Sequence, residues 1–333
     1  MKLNVSCGYF FIMNRLLLLL TMKPNILVGG QAVIEGVMMR VPGAYSTAVR
    51  DPKGKIQLKR LKFKSLTENS AIWSMPILRG IASLYEAMKM GMDTLQWSAD
   101  ITYPEENSDS FFSRLLDAIT TLFSILLAIS LFMVLPIWLT TKLFLIDQGA
   151  VLFNILAGSF RIVFFIFYLF LISKIADISR LFQYHGAEHK VVYNFESGED
   201  ISIKNAQLFP TQHPRCGTSF MFIVLLSAIF VFAIVDTITM HFIGEISIAT
   251  RLLTHLPLIP LVSGFGYEMI KITSKSNSVF FYFLKKPGIY LQNITTKQPD
   301  DNMVEVSIAA IKDAFGEKYE EFRGQEFTAE AIG

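Results

Sequence analysis

The chain is short of charge, of cysteine and of histidine, and each shortage excludes something. Charged residues make up 17% of it, against about 25% in an average soluble domain, which argues against an ordinary water-exposed globule. Its two cysteines, Cys7 and Cys216, are too few and too widely separated for a disulfide framework. The net charge is only +2, and Lys and Arg are not pooled into a stripe, so there is no nucleic-acid footprint. What the chain has in quantity is apolar: 52% hydrophobic residues and 29 phenylalanines, with a mean hydropathy of +0.44. That balance belongs to an integral membrane protein whose first partner is the lipid bilayer.

Four segments are long and apolar enough to cross. They are Leu115–Leu145, with Pro136 placed to kink it, Val151–Ile172 with Arg161 inside, Phe220–Ile243 with Asp236 near its far end, and about Ile248–Ile270. The last is interrupted by Pro257, Pro260, Gly264 and Gly266. It spans only if neighbours or water satisfy the freed backbone groups. Lys and Arg are frequent before the first segment, between the second and third, and after Lys271, whereas the two short opposite loops hold little more than Lys142 and Arg251. The positive-inside rule therefore puts both termini and residues 174–218 in the cytoplasm. The expected fold is mainly α: a polytopic inner-membrane protein with about four transmembrane helices and a small cytoplasmic α+β part.

Residues 1–21 read as an N-terminal extension. Leu16–Leu20 after Arg15 resembles a signal-peptide core, but no small-residue cleavage site follows and Met22 offers a later start. Residues 22–110 read as a β-rich region with a helix. Ala32–Met39 is one short apolar run, and Ser46–Arg50 and Lys55–Phe63 alternate around the turn Asp51-Pro52-Lys53-Gly54. Ile56, Leu58, Leu61 and Phe63 are expected on one face, with a register shift, and lysines on the other. From 70 to 98, Ile77, Ile81, Leu84, Met88, Met92 and Leu95 recur at helical spacing. That helix either packs on the sheet or lies in the interface under the bilayer; the breadth of the Met-rich stripe favours the interface. Residues 111–272 form the membrane domain and 273–333 a cytoplasmic C-terminal region, in which Asp300-Asp301 precedes a helix or strand-helix unit over Val304–Lys318.

The chemistry concentrates between the second and third spans. Three of the five histidines fall between positions 185 and 216, together with Cys216. His185, Glu188 and His189 form H-x-x-E-H, the inverse of the zincin pattern. On a helix, His185 and His189 share one face a turn apart and can hold one divalent metal. Glu188 beside them can then act as general base toward a water. Gly186 in the middle argues against the helix. A third ligand is needed, and His213 and Cys216 are nearest in sequence; Arg215 beside Cys216 would favour its thiolate. Glu268, near the cytoplasmic end of the broken fourth span, is a more distant candidate. Glu35 is either a solvent-facing strand residue or part of the site. Against this stands the plain reading of juxtamembrane histidines as interfacial hydrogen-bonding residues, of Cys216 as a small buried hydrophobe, and of Arg161 as snorkelling or paired with Asp236.

Several blocks resemble a family of bacterial four-span membrane proteins of unknown function, the YqhQ-like family. They are Gly29–Arg40, the helix around Arg79-Gly80, Tyr184–Lys190, His213–Phe220 and Thr295–Asp301. The resemblance runs from about Gly29 to Ala310 and implies a metal-dependent activity, with zinc the ion best suited to N and S donors. Three readings follow. The first is a hydrolase at the membrane surface with metal ligands His185, His189, His213 and Cys216. The second is a transporter or channel in which Asp236, Glu268 and the histidines form an ion path. The third is a scaffold with a structural metal clip. No motif demands a homo-oligomer, although Gly and Pro breaks in the spans leave room for one.

Overall fold

The structure is a computed structural model and describes residues 28–104, 111–144, 150–214, 216–275 and 279–323. The expectations for residues 1–21 and for Arg215 lie outside them.

Four strands form one antiparallel meander. β1 (Gly29–Val33), β2 (Gly36–Val41), β3 (Ala44–Arg50) and β4 (Ile56–Lys62) lie side by side in sequence order. The turns between them set the register. Val33 pairs with Gly36 across Ile34-Glu35, and Glu35 takes a left-handed φ of +52°. Pro42-Gly43 makes the next turn with Gly43 at φ +81°, the residue order of a type II turn. Asp51 Oδ1 closes the third by accepting from the Lys53 and Lys55 amides at 3.0 and 2.9 Å. The apolar run Ala32–Met39 folds back on itself as a hairpin. One expectation is corrected here. Leu58 and Leu61 do not share a covered face: side chains alternate along a strand, and on this edge strand both are exposed.

β2 is buried along its whole length and β3 as far as Val49, because the sheet is covered on both sides. One side packs against α5 (Ala176–Glu196) and α10 (Asp301–Phe315) through Val37, Met39, Ala48, Val191, Phe195 and Ile311. The other meets α1 (Leu78–Thr102) through Met38, Tyr45 and Met90. Asp300 caps α10 by accepting from the Met303 amide at 2.9 Å. Helix α1 is inverted relative to an ordinary amphipathic helix. It buries Arg79, Gly80, Ala82, Glu86, Gly91, Thr94 and Ser98 against the protein and exposes Tyr85, Met88, Met92 and Leu95.

Among the described residues, four helical stretches are long and apolar enough to cross a membrane: Ala118–Leu143, Val151–Ile172, Phe220–Ile243 and Ile248–Ile272. In the first, α2 (Phe111–Ile129) and α3 (Leu135–Phe144) are joined by a π-helical turn, Ser130–Val134. The ring of Pro136 crowds the carbonyl four residues back, at Phe132, inside that turn, which accounts for the irregularity. The second is α4 (Ala150–Ile172) and the third α6 (Gly217–Ile243). The fourth, α7 (Ile248–His255) and α8 (Ile259–Lys275), is interrupted by a 3-10 turn, Leu256–Leu258, that contains Pro257. Helix α6 is the central one and packs against α4, α8 and α9 (Val279–Thr295). Large apolar side chains such as Leu122, Phe123, Phe167 and Phe230 point outward from these helices.

Candidate functional site

Helix α5 carries the site because one of its faces is fixed in the core beneath the sheet and the other is free to hold polar groups. Ala187, Val191 and Phe195 pack into the core beneath the sheet. Tyr184 and Glu35 fix its start: the Glu35 carboxylate accepts from the Arg180 guanidinium, with Nη2 to Oε2 at 2.6 Å, and from the Tyr184 hydroxyl at 3.2 Å. Burial, and then the charge of Glu35, push the Tyr184 phenol well above its ordinary range. Glu35 therefore acts at a distance from the histidines, as a strut between the first hairpin and α5. Gly186 is helical after all. A Cβ there would run into the Lys297 carbonyl, and the Lys297 amide donates to the Phe182 carbonyl at 2.9 Å. The glycine lets the segment after α9 lie directly against α5.

That close approach positions the imidazoles. His185 Nδ1 lies 2.8 Å from the Thr295 carbonyl, and His189 Nδ1 is hydrogen-bonded to the Thr211 carbonyl. A carbonyl can only accept, so in both rings Nδ1 carries the proton and Nε2 keeps its lone pair in the neutral form. The two rings sit 4.5 Å apart between centres. His185 Nε2 is 3.2 Å from Cys216 Sγ. The donor atoms of His185, His189 and Cys216 all lie within 4.8 Å of one another. Nitrogen and sulfur ligands about 2.0–2.3 Å from a shared tetrahedral ion need separations of that order. Cys216 is partly buried and stands at the N-cap of α6, so a thiolate there faces the positive end of a long helix.

The other candidates are distributed differently. The Glu188 carboxylate is buried, 3.4 Å from His189 Nε2, and its Cγ lies against Gly30 of β1, where a side chain would overlap it. His213 stands behind the three donors. Its ring centre is 5.5 Å from that of His189, its Nε2 is 3.9 Å from Glu196, and its backbone exchanges two hydrogen bonds with the Gln292 amide at 2.6 and 2.8 Å. Glu268 is held elsewhere, accepting from Arg79 Nε at 2.6 Å and Nη2 at 2.5 Å and from the Ile77 amide at 3.2 Å. Asp236 pairs with Arg251 and with His255 Nε2 at 2.9 Å; Arg161 lies instead over the ring of Phe232.

The sequence gives little sign of the groups that hold this arrangement together, since the two acceptors are backbone carbonyls. Lys190 is one that could have been found, as a lysine following H-x-x-E-H on the same helix. Its buried ammonium donates to the Gln207 and Phe209 carbonyls at 2.9 and 2.6 Å and so fixes the loop that presents Thr211. Lys297 does the same for the other strap, reaching the Ser173 carbonyl and Ser179 Oγ at 2.8 Å each.

A family model described as "Protein of unknown function (DUF1385)" matches residues 75–317. The chain belongs to that family. It is 31% identical over 300 residues to the "Uncharacterized protein YqhQ" of Bacillus subtilis (strain 168), covering 86% of this chain and 91% of that one. No solved structure matches it significantly. The family match takes in α1, the four apolar helices and all three donors, whereas the sheet precedes it.

Proposed function

We propose that this DUF1385 protein is a four-span protein of the bacterial inner membrane, with both termini in the cytoplasm and a divalent-metal centre of His185, His189 and Cys216 on that side. The metal reading rests on one observation: two imidazoles, each with Nδ1 committed to a carbonyl, turn Nε2 into the space beside a cysteine sulfur. Carbonyl acceptors behind metal-bound histidines are the usual outer-shell partners. Two nitrogens and one sulfur fit zinc, and three protein donors leave a fourth position, as in catalytic zinc sites. When bound, such an ion supplies Lewis acidity toward a substrate carbonyl or phosphoryl oxygen. Glu188 is the group that would take a proton from an attacking water, which makes a metal-dependent hydrolase the reading we favour. The substrate class that fits is a peptide or a lipid-linked ester at the membrane surface. The exposed Tyr85, Met88, Met92 and Leu95 of α1 support the membrane reading, since an apolar stripe on a helix whose polar side faces the protein suits the lipid interface. The test is metal content of the purified protein by mass spectrometry. We expect about one zinc per chain, lost in the His185→Ala/His189→Ala variant; equal metal in both would remove the basis of the proposal.

One observation favours a second reading. His185 Nε2 and Cys216 Sγ are 3.2 Å apart, with the imidazole oriented by the Thr295 carbonyl and the thiol at a helix N-cap, the arrangement of a cysteine nucleophile and its base. Iodoacetamide separates the two. A metal centre protects Cys216 until a chelator is added, whereas an activated thiol reacts at the same fast rate with or without it.

A further inference from the structure

A second polar cluster lies inside the apolar helices, well away from the candidate metal centre. Asp236 on α6 is fully buried. It accepts from Asn154 Nδ2 of α4 at 2.7 Å, from His255 Nε2 of α7 at 2.9 Å and from the Arg251 guanidinium. One turn earlier on α6, the ring of Phe232 is stacked on His255 with centres 4.0 Å apart. Arg161, at the middle of α4, brings its Cζ to 5.4 Å from the same ring. Helical side chains lean toward the helix N-terminus, so Arg161 reaches toward the level of Asn154 and Asp236. It lies within electrostatic range of Asp236 and Arg251.

The Arg161 side chain is buried, with the residue 5% exposed, and among the described residues none accepts a hydrogen bond from Nε, Nη1 or Nη2. His255 donates from Nε2 to Asp236, so its neutral ring adds no charge and Nδ1 keeps a lone pair. A guanidinium stays protonated and presents five N–H donors. Two arginines against one aspartate leave an excess of one positive charge in an apolar bundle. An uncompensated charge is among the most costly things to bury, so the cluster as it stands calls for an acceptor that is also an anion.

We propose that Arg161, beside Arg251, is the binding site of a small monovalent inorganic anion of the chloride class, enclosed between α4, α6 and α7. The charge excess sets the valence. Close apolar packing nearby favours a small ion. Phe232 covers one side, Phe153 lies under Arg251 at 3.9 Å, and Gly158 is packed so closely on Ile229 that a Cβ would overlap it. This inference is independent of the metal centre.

The experiment is thermal unfolding of the full chain in detergent, in sodium chloride and in sodium gluconate at matched ionic strength. An anion that binds only the folded chain lowers the unfolding constant by 1 + [L]/Kd, about 11-fold at ten times Kd. Wild-type protein should therefore melt higher in chloride than in gluconate, and Arg161→Gln should abolish the difference. Equal melting of the wild type in the two salts, or an unchanged chloride response in Arg161→Gln, overturns the site. Should that variant fail to fold, wild-type crystals grown in bromide decide: an anomalous peak within hydrogen-bonding reach of Arg161 supports the site, and its absence there refutes it.

Discussion

Glu268→Gln separates a structural role from a ligand role for Glu268, the acid toward the C-terminal end of the fourth apolar helix. The Glu268 carboxylate takes two parallel hydrogen bonds from Arg79, at 2.6 and 2.5 Å, and a third from the Ile77 amide at 3.2 Å. The pair is sheltered, with side-chain exposures of 2% and 16%. It joins α1 to α8 where the backbones nearly touch: a Cβ at Gly80 would overlap Tyr267 and Gly264. Ile77 is held at φ +69°, a conformation costing a β-branched residue about 1–3 kcal/mol, and its hydrogen bond to Glu268 helps keep it there. Removing one member of a buried pair costs about 3–5 kcal/mol, because the other charge is left uncompensated. At about 2 °C per kcal/mol for a long chain, Glu268→Gln should lower Tm by roughly 6–10 °C. Arg79→Met with Glu268→Met should recover much of that loss, since replacing both charges removes the penalty. Thermal unfolding of the two variants and the wild type in one detergent makes the comparison, with metal content measured beside it. A Glu268→Gln protein melting within 2 °C of wild type, or one whose metal content falls below the wild type's, would refute the clamp.

Three further outcomes are expected. Lys190→Met removes both hydrogen bonds that hold the loop presenting Thr211, so zinc affinity should fall about 10–100-fold, read by chelator competition; unchanged affinity means the loop holds itself. Gly186→Ala should lower Tm even though alanine favours a helix by about 1 kcal/mol over glycine, because its Cβ meets the Lys297 backbone; a stabilised variant shows that the two segments do not touch. Tyr184 has a folded-state pKa raised above its unfolded value by burial and then by Glu35. Its contribution is therefore fully present below about pH 10, the ordinary phenol value, and lost as pH rises above it. Tyr184→Phe should flatten the alkaline end of the stability profile, and an identical profile in both proteins argues against the buried phenol.

The sequence announces the apolar helices well and the site only in part. Span ends read from hydropathy fall within a few residues of the helices, and the interruption at Pro257 is where proline chemistry puts it. His185 and His189 share a helix face because i and i+4 must. What escaped has a physical reason in each case. The hairpin inside Ala32–Met39 turns on a glutamate with positive φ, a conformation without a compositional signature. The stripe Met88, Met92 and Leu95 was legible as periodicity and read as facing the bilayer interface; what periodicity did not show is that the polar face of the helix is the one buried against the protein. His213 and Cys216 are three positions apart, yet only Cys216 joins the two imidazoles in the three-donor group; the His213 ring lies beside His189 with its Nε2 3.9 Å from Glu196. Nearness in sequence could not choose between them.

The position of α5 gives the site its significance for the whole molecule. Its apolar face belongs to the sheet and α10, so its orientation is fixed by the core beneath the sheet. Its histidine face is held by two straps that belong to the helical bundle: the residues just before α6, ending in Cys216, and the end of α9 at Thr295 with the residues that follow it. Either strap alone would leave one imidazole without its carbonyl and free to flip its tautomer. The three donors therefore converge only when sheet, α5 and bundle are docked together. A cation seated between them would report that docking directly, and loss of the Thr295 strap would disorder His185 without touching a donor residue.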